Sequence, residues 1–237
     1  MQKIFYQDRA VAFIDVLGFS ALVRSSDTNT QTLKQLETLV NTLNSSVPLL
    51  NQQVSSSVNS ALIPEHTYIS DSIILSAPLS GNSLGITGYS GIDVIALRVI
   101  QLTHLLLSEG YLIRGGISVG SVWHSNSNIV GPAYIEAYET ECKYAIHPRV
   151  LLSHSAEQVW NAQPHKSGLC VNYEGSLIVD GLHNSIIELP FGRLYANVYD
   201  SYRQTIIEKI DTLTDSKALK KWIWFQKYFD ENRPMGV

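Results

Sequence analysis

The sequence predicts an α+β protein: a mainly antiparallel sheet with helices on it, followed by an appended pair of helices. Three observations lead there. Strand-like and helix-like segments succeed one another as strand, helix, hairpin, helix, strand, helix, strand. Residues 66–69 and 73–76 are β-branched and aromatic arms on either side of Ser70, Asp71 and Ser72, the pattern of a hairpin. Beyond residue 190 the chain turns to aromatic, mixed-charge helical patterning.

Taken in order, Val11, Ala12, Phe13 and Ile14 form an apolar run that reads as a buried strand ending at Asp15, with Gly18 supplying a turn. Leu22 and Val23, then Leu33, Leu36, Leu39, Val40 and Leu43, predict one long helix or two. Ser26, Asp27 and Thr28 are the expected break, since such residues favour caps and turns. The Ser-rich stretch 45–59 predicts a loop or a frayed helix end. After the hairpin, which Pro78 ends, Gly81, Gly85, Gly88 and Gly91 predict a long mobile loop. Residues 92–108 read as the clearest amphipathic helix, closed by Gly110. Residues 111–122 form a glycine-bearing strand, where glycines mark bulges or close approach. Residues 124–128 read as a polar turn, and 131–143 as a helix with Ala133, Ala137 and Tyr138 facing inward. A strand at 149–152, a short helix at 155–161 and a strand at 177–179 follow, then helices at 198–213 and 216–228. Residues 1–190 are thus the expected main domain, and 191–237 a helical extension packed on it.

Composition narrows the function classes. With 45% hydrophobic and 16% charged residues, the 237-residue chain is a folded protein with a sizeable core. A net charge of −4 and the lack of any Lys/Arg cluster of five or more argue against direct nucleic-acid binding. The apolar run 94–107 is broken by Arg98, Gln101 and His104, and no signal-peptide pattern opens the chain, so no membrane association is expected. Cys142 and Cys170 form no CxxC pair and read as buried thiols of a cytoplasmic protein. The seven histidines show no zinc-enzyme spacing, and no serine lies in a G-x-S-x-G context.

The chemistry gathers around Asp15 and Asp71. A carboxylate at a strand end can ligate a hard cation such as Mg²⁺. The turn after Asp15 exposes backbone N–H groups where a helix begins, which suits phosphates. Asp71 offers a second carboxylate, and two on neighbouring strands can hold two cations. Singly, Asp15 reads better as a helix cap and Asp71 as a turn residue than as metal ligands.

Together these residues resemble a known family. Phe13-Ile14-Asp15-Val16-Leu17-Gly18-Phe19-Ser20 resembles the F-x-D-x-x-G-F-S/T signature of class III nucleotidyl cyclases. Ile69-Ser70-Asp71-Ser72 resembles their G-D-S/A hairpin with Ser70 for the usual Gly, and Arg114-Gly115-Gly116-Ile117-Ser118-Val119-Gly120 their R-x-G-I-x-x-G strand. The resemblance covers about residues 10 to 155. It implies a palm-like βαββαβ core as a catalytic domain, and attack of the 3′-hydroxyl of a nucleoside triphosphate on its own α-phosphate. It also implies two Mg²⁺ or Mn²⁺ ions on Asp15, Asp71 and the Val16 carbonyl, and a phosphate cradle from the amides of Leu17, Gly18, Phe19 and Ser20.

The departures are informative. Thr67 stands where adenylate cyclases of this family carry an adenine-reading Lys, and Asn128 is nearest to their second base-reading Asp. Ile135 and Glu139 occupy the positions of the transition-state Asn and Arg. Arg114, Lys143 and Arg149 are the candidate replacement cations. Within the family, residues 12–20, 131–141 and 147–150 resemble the stand-alone pyrimidine cyclases of the bacterial Pycsar antiphage system. Those make cyclic UMP or cyclic CMP, which activates a separate effector protein. The resemblance implies a UTP or CTP substrate with Thr67 at the base, and a homodimer whose composite sites join Asp15 and Asp71 to the 128–143 half of the partner. The alternatives are a purine cyclase, or a weak or inactive nucleotide sensor or dimerisation module.

Overall fold

The computed structural model describes residues 3–52, 59–81, 88–125, 127–184 and 195–233. The chain runs β1 (Gln7–Val16), α1 (Phe19–Ser26), α2 (Thr30–Gln52), β2 (Glu65–Ile69), β3 (Ser72–Pro78) and α3 (Gly91–Ser108). It continues with β4 (Ile113–Ser125), β5 (Asn128–Val130), α4 (Pro132–Tyr144), β6 (Val150–Leu152) and α5 (His154–Ala162). β7 (Cys170–Tyr173), β8 (Ser176–Val179), α6 (Tyr195–Thr212) and α7 (Ser216–Asn232) complete it. One sheet of order β2-β3-β1-β4-β6-β8-β7 carries the helices, with β5 paired to β4 outside that path. Every pairing is antiparallel except β4 with β6, so the predicted α+β class holds.

β1 is central, and its residues alternate between two cores. Ala10, Ala12, Ile14 and Val16 pack with α2 and α3, while Val11 and Phe13 pack with Ala133 and Ala137 of α4. A strand covered on both faces must be apolar throughout, which explains the unbroken run at 10–14. The alternation puts Asp15 on the α4 face, with Phe13. α4 sits close because Gly116 of β4 has no side chain: a Cβ there would lie 2.4 Å from Ala137 O.

Several expectations change. α2 runs on through Pro48 to Gln52, because Leu43, Ser46, Val47 and Leu50 extend a buried stripe past the Ser-rich stretch. Much of the Gly-rich loop lies outside the described residues, as does the boundary expected at 190/191. α3 is buried around most of its circumference rather than amphipathic, covered by the sheet and α6. By length and composition it could cross a membrane, but it lies in the core. His124 and Ser125 belong to β4, not to a turn. β7, unexpected, pairs with β8. Cys142 is exposed, and so is Tyr138, which stacks edge-on against Phe13.

α6 and α7 dock on a second core. Tyr199, Tyr202, Ile206, Trp222, Phe225 and Phe229 meet Leu107, Leu112, Leu151, Ile178 and Leu182 of the sheet and α3 side. Burial of a ring such as Phe229 stabilises the docked pair by about 1.5–3 kcal/mol before ordering costs.

Candidate active site

The site is built by strand register. Asp15 lies opposite Ser72 on β3 and opposite Arg114 on β4. Asp71 precedes Ser72 in the two-residue turn, and its carbonyl accepts the Val16 N–H at 3.1 Å. That turn holds Ser70 at φ 58, the left-handed region that favours glycine, which fits the Gly of the resembling pattern. The two carboxylates therefore flank one end of the central strands.

Arg114 links two acidic groups. Its Nε–H donates to Asp15 Oδ2 at 3.1 Å, and the same nitrogen lies 2.7 Å from Glu141 Oε1 on α4. The second approach is a charge contact only, since the N–H is aimed at Asp15 and Glu141 Oε1 has no aligned donor. Glu141 is nearly fully buried, and its Oε2 accepts the Cys142 thiol. Burial pushes the Asp15 carboxyl up to about 6. The Arg114 guanidinium draws it back down, while the charges of Asp71 and Glu141 push it further up.

This environment suits a divalent cation. A half-buried carboxylate with a second one in its field, and a buried carboxylate oxygen without a donor, leave negative charge that one guanidinium does not satisfy. Among the described residues no three Asp, Glu, His or Cys side chains form a ligand cluster. The fit is thus to ions held by one or two carboxylates and completed by phosphate and water oxygens, as Mg²⁺ usually is.

The phosphate turn is narrower than expected. The Leu17 N–H is already donated to Leu112 O at 2.9 Å, which removes it from the cradle. Gly18 stands at φ 92 as the N-cap of α1 with no side-chain cap, and its carbonyl accepts from Ala21 and Leu22. The amides of Gly18, Phe19 and Ser20 have no acceptor among the described residues, so they remain for an anion.

Other predicted residues fall elsewhere. Thr67 is buried, its Oγ1 lying 2.8 Å from His124 Nε2 and 3.3 Å from Ser125 O. Arg9 Nε–H donates to Ser76 Oγ at 2.9 Å, and Ser76 Oγ lies 2.7 Å from His124 Nδ1. One assignment satisfies the chain: Ser76 donates to Nδ1, and Nε2–H donates to Thr67, which donates to Ser125 O. Arg149 lies over the Trp224 ring and 3.8 Å from Glu174, among β7, β8 and α7, not beside Asp15 of the same chain. Lys143 pairs with Glu139 at 3.1 Å on the exposed side of α4. Asn128 is exposed at the β4–β5 hairpin, its carbonyl accepting from Ser125. Of the three candidate cations, only Arg114 reaches Asp15. Glu141 escaped sequence reasoning, because a helical Glu looks solvent-facing until the sheet behind it is known.

No family model and no curated protein matches the sequence. Among solved structures, the chain is similar to the catalytic core of a rhodopsin-guanylyl cyclase with converted specificity in complex with ATPαS (TM-score 0.49, 18% identity, covering 73% of this chain and 95% of that one). It is also similar to a bacterial light-regulated adenylyl cyclase (0.46, 15%, covering 86% and 59%). A third is a class III adenylyl cyclase-like ATP-binding protein from Pseudomonas aeruginosa (0.45, 12%, covering 94% and 44%). The chain spans less than two thirds of the latter two.

Proposed function

We propose that the chain is a cytoplasmic pyrimidine nucleotide cyclase, with UTP as leading substrate and CTP as the second. The product is the 3′,5′-cyclic monophosphate, acting as a messenger on a separate effector protein in antiphage defence. One observation carries the reading. Asp15, half-buried within the field of Asp71, directly precedes a left-handed glycine turn with three amides open to an anion.

In the reaction, the 3′-oxygen bonds to the α-phosphorus as the bond from that phosphorus to the β-bridging oxygen breaks. Pyrophosphate leaves with the electron pair, and the hydroxyl proton passes to water. Bound at Asp15 and Asp71, two Mg²⁺ or Mn²⁺ ions would supply acidification of the hydroxyl and neutralisation of the triphosphate. The chain's own part is positioning: the Gly18, Phe19 and Ser20 amides orient phosphate oxygens, and Arg114 holds the Asp15 carboxylate in place. The pyrimidine preference rests on the lack of a Lys at position 67, where the adenine-reading Lys of the resembling family stands, and not on a contact from Thr67 itself, whose hydroxyl is held by His124.

A second copy of the chain would complete the site. Ile135 and Tyr138 leave an exposed apolar stripe on α4, with Ile146 exposed just beyond it. Sedimentation at assay concentration is expected to give a dimer; a monomer there would remove this part.

The competing reading, a weak or inactive nucleotide sensor, is favoured by α4 itself. Ile135 is exposed and apolar, and Glu139 is paired to Lys143, so α4 presents no Asn–Arg pair. Incubation with ATP, GTP, CTP and UTP plus Mn²⁺, read by mass spectrometry, decides. Cyclic UMP or cyclic CMP is expected, and Asp71→Ala is expected to lower its yield at least ~100-fold. No cyclic product from any nucleotide would favour the sensor, and a purine product would move the specificity.

A further inference from the structure

A groove of about 410 Å³ lies between the phosphate turn and the C-terminal helices. One wall is Leu17, Gly18 and the first turns of α1; the facing wall is α6 and α7. Three lysines line it: Lys209 from the last turns of α6, and Lys217 and Lys221 from the start of α7. Lys217 and Lys221 are four residues apart, so they share one helical face. Neither makes an ion pair or hydrogen bond among the described residues. Lys209 is occupied, its ammonium lying over the Tyr111 and Trp222 rings. The acidic residue of the lining, Asp215, caps α7 through the Ala218 N–H at 2.7 Å.

We propose that α7 supplies the cationic grip on the polyphosphate tail: Lys217 and Lys221 bind the β- and γ-phosphates opposite the Gly18–Ser20 amides. This rests on the reading of the Asp15 site as a nucleoside triphosphate site. Gly18, the first of the three open amides, stands at the groove's edge, and two unpaired ammonium groups stand on its far wall, so a tail held by the turn can run on into the groove. Lys221 is half-buried and stands near enough to the reaction end for Arg114, Asp15 and Glu141 to act on its charge. Burial and Arg114 oppose that charge, which an arriving anion would offset. The C-terminal pair would thus be part of the substrate site, and it would hold the pyrophosphate as it leaves.

The test uses the full chain and inorganic tripolyphosphate with Mn²⁺, followed by calorimetry. A Lys217→Gln/Lys221→Gln double variant is expected to bind at least ~10-fold more weakly, with KM for the nucleotide raised by a similar factor and kcat changed less. The Lys217→Arg/Lys221→Arg variant, which keeps both charges, is expected to stay within about 3-fold of the parent. Thermal melting checks that both variants fold. Tripolyphosphate binding unchanged in the Gln variant would overturn the proposal. If that binding is lost but the parent makes no cyclic product, the lysine site stands and the cyclase reading falls. A cyclic product with unchanged KM in the Gln variant gives the reverse.

Discussion

Both hydrogen-bonding roles of the Thr67 hydroxyl are used inside the protein, toward His124 Nε2 and Ser125 O. Thr67→Ala is therefore expected to leave base preference and turnover within about 2-fold, while lowering stability by about 1–3 kcal/mol, because a buried N–H and a carbonyl lose their partner. Nucleotide competition assays and urea denaturation read the two effects separately; a changed base preference would return Thr67 to the site. Residue types were legible where chemistry and position coincide. Asp15 and Asp71 are a strand-end and a hairpin-turn carboxylate, and register brings them together. Arg149 and Thr67 were not legible, because their roles depend on Trp224 and His124, partners distant in sequence.

At the scale of elements, α4 is the piece whose seating the site depends on, since it carries Glu141 behind Arg114. Its approach requires Gly116, where a methyl would meet Ala137 O at 2.4 Å and the Thr140 Cβ at 2.7 Å. Gly116→Ala is expected to push α4 outward, cost about 1–3 kcal/mol by overpacking, and reduce any cyclase activity with it. Thermal melting against Gly175→Ala, a glycine at φ 75 with open space around it, separates overpacking from backbone strain. If both variants melt alike, close packing at 116 is not the cause. Elements with strong local signals were readable: the hairpin, the break between α1 and α2, and Gly110 after α3. α3 misled because a helix buried on most sides has apolar residues on most sides, and periodicity then loses its contrast. β7 was hidden by Asn172 and Tyr173, whose partners are the β8 backbone and α7.

For the whole molecule, buried histidines set the response to acid. Burial lowers His104 to about 4, and burial with the Arg9 and His66 charges lowers His124 to about 4. Below pH 6.5 the unfolded chain protonates at both positions while the folded chain does not, so stability is fully present above about 6.5 and falls as pH drops toward 4. Asp15, raised to about 6, and Asp180, also raised by burial, work in the opposite sense over part of that window, because the folded state takes up their protons first. With His66 and His147 also lowered, the histidines outweigh them. Melting temperature is expected to fall between pH 7 and pH 5; a flat or rising profile would show that the His124 and His104 environments are wetter than their contacts imply.

β1 has a further consequence, in time. It is made before both of its partners, and it is covered only when β3 and β4 arrive to pair along its two edges, with Val16 meeting Ile113 at the far end. At cellular synthesis rates of roughly 5–20 residues per second, the apolar strand that carries Asp15 waits on the order of ten seconds for its second neighbour. During that interval the emerging polypeptide offers a bare sheet edge, which makes it a natural client for chaperones that bind extended apolar segments.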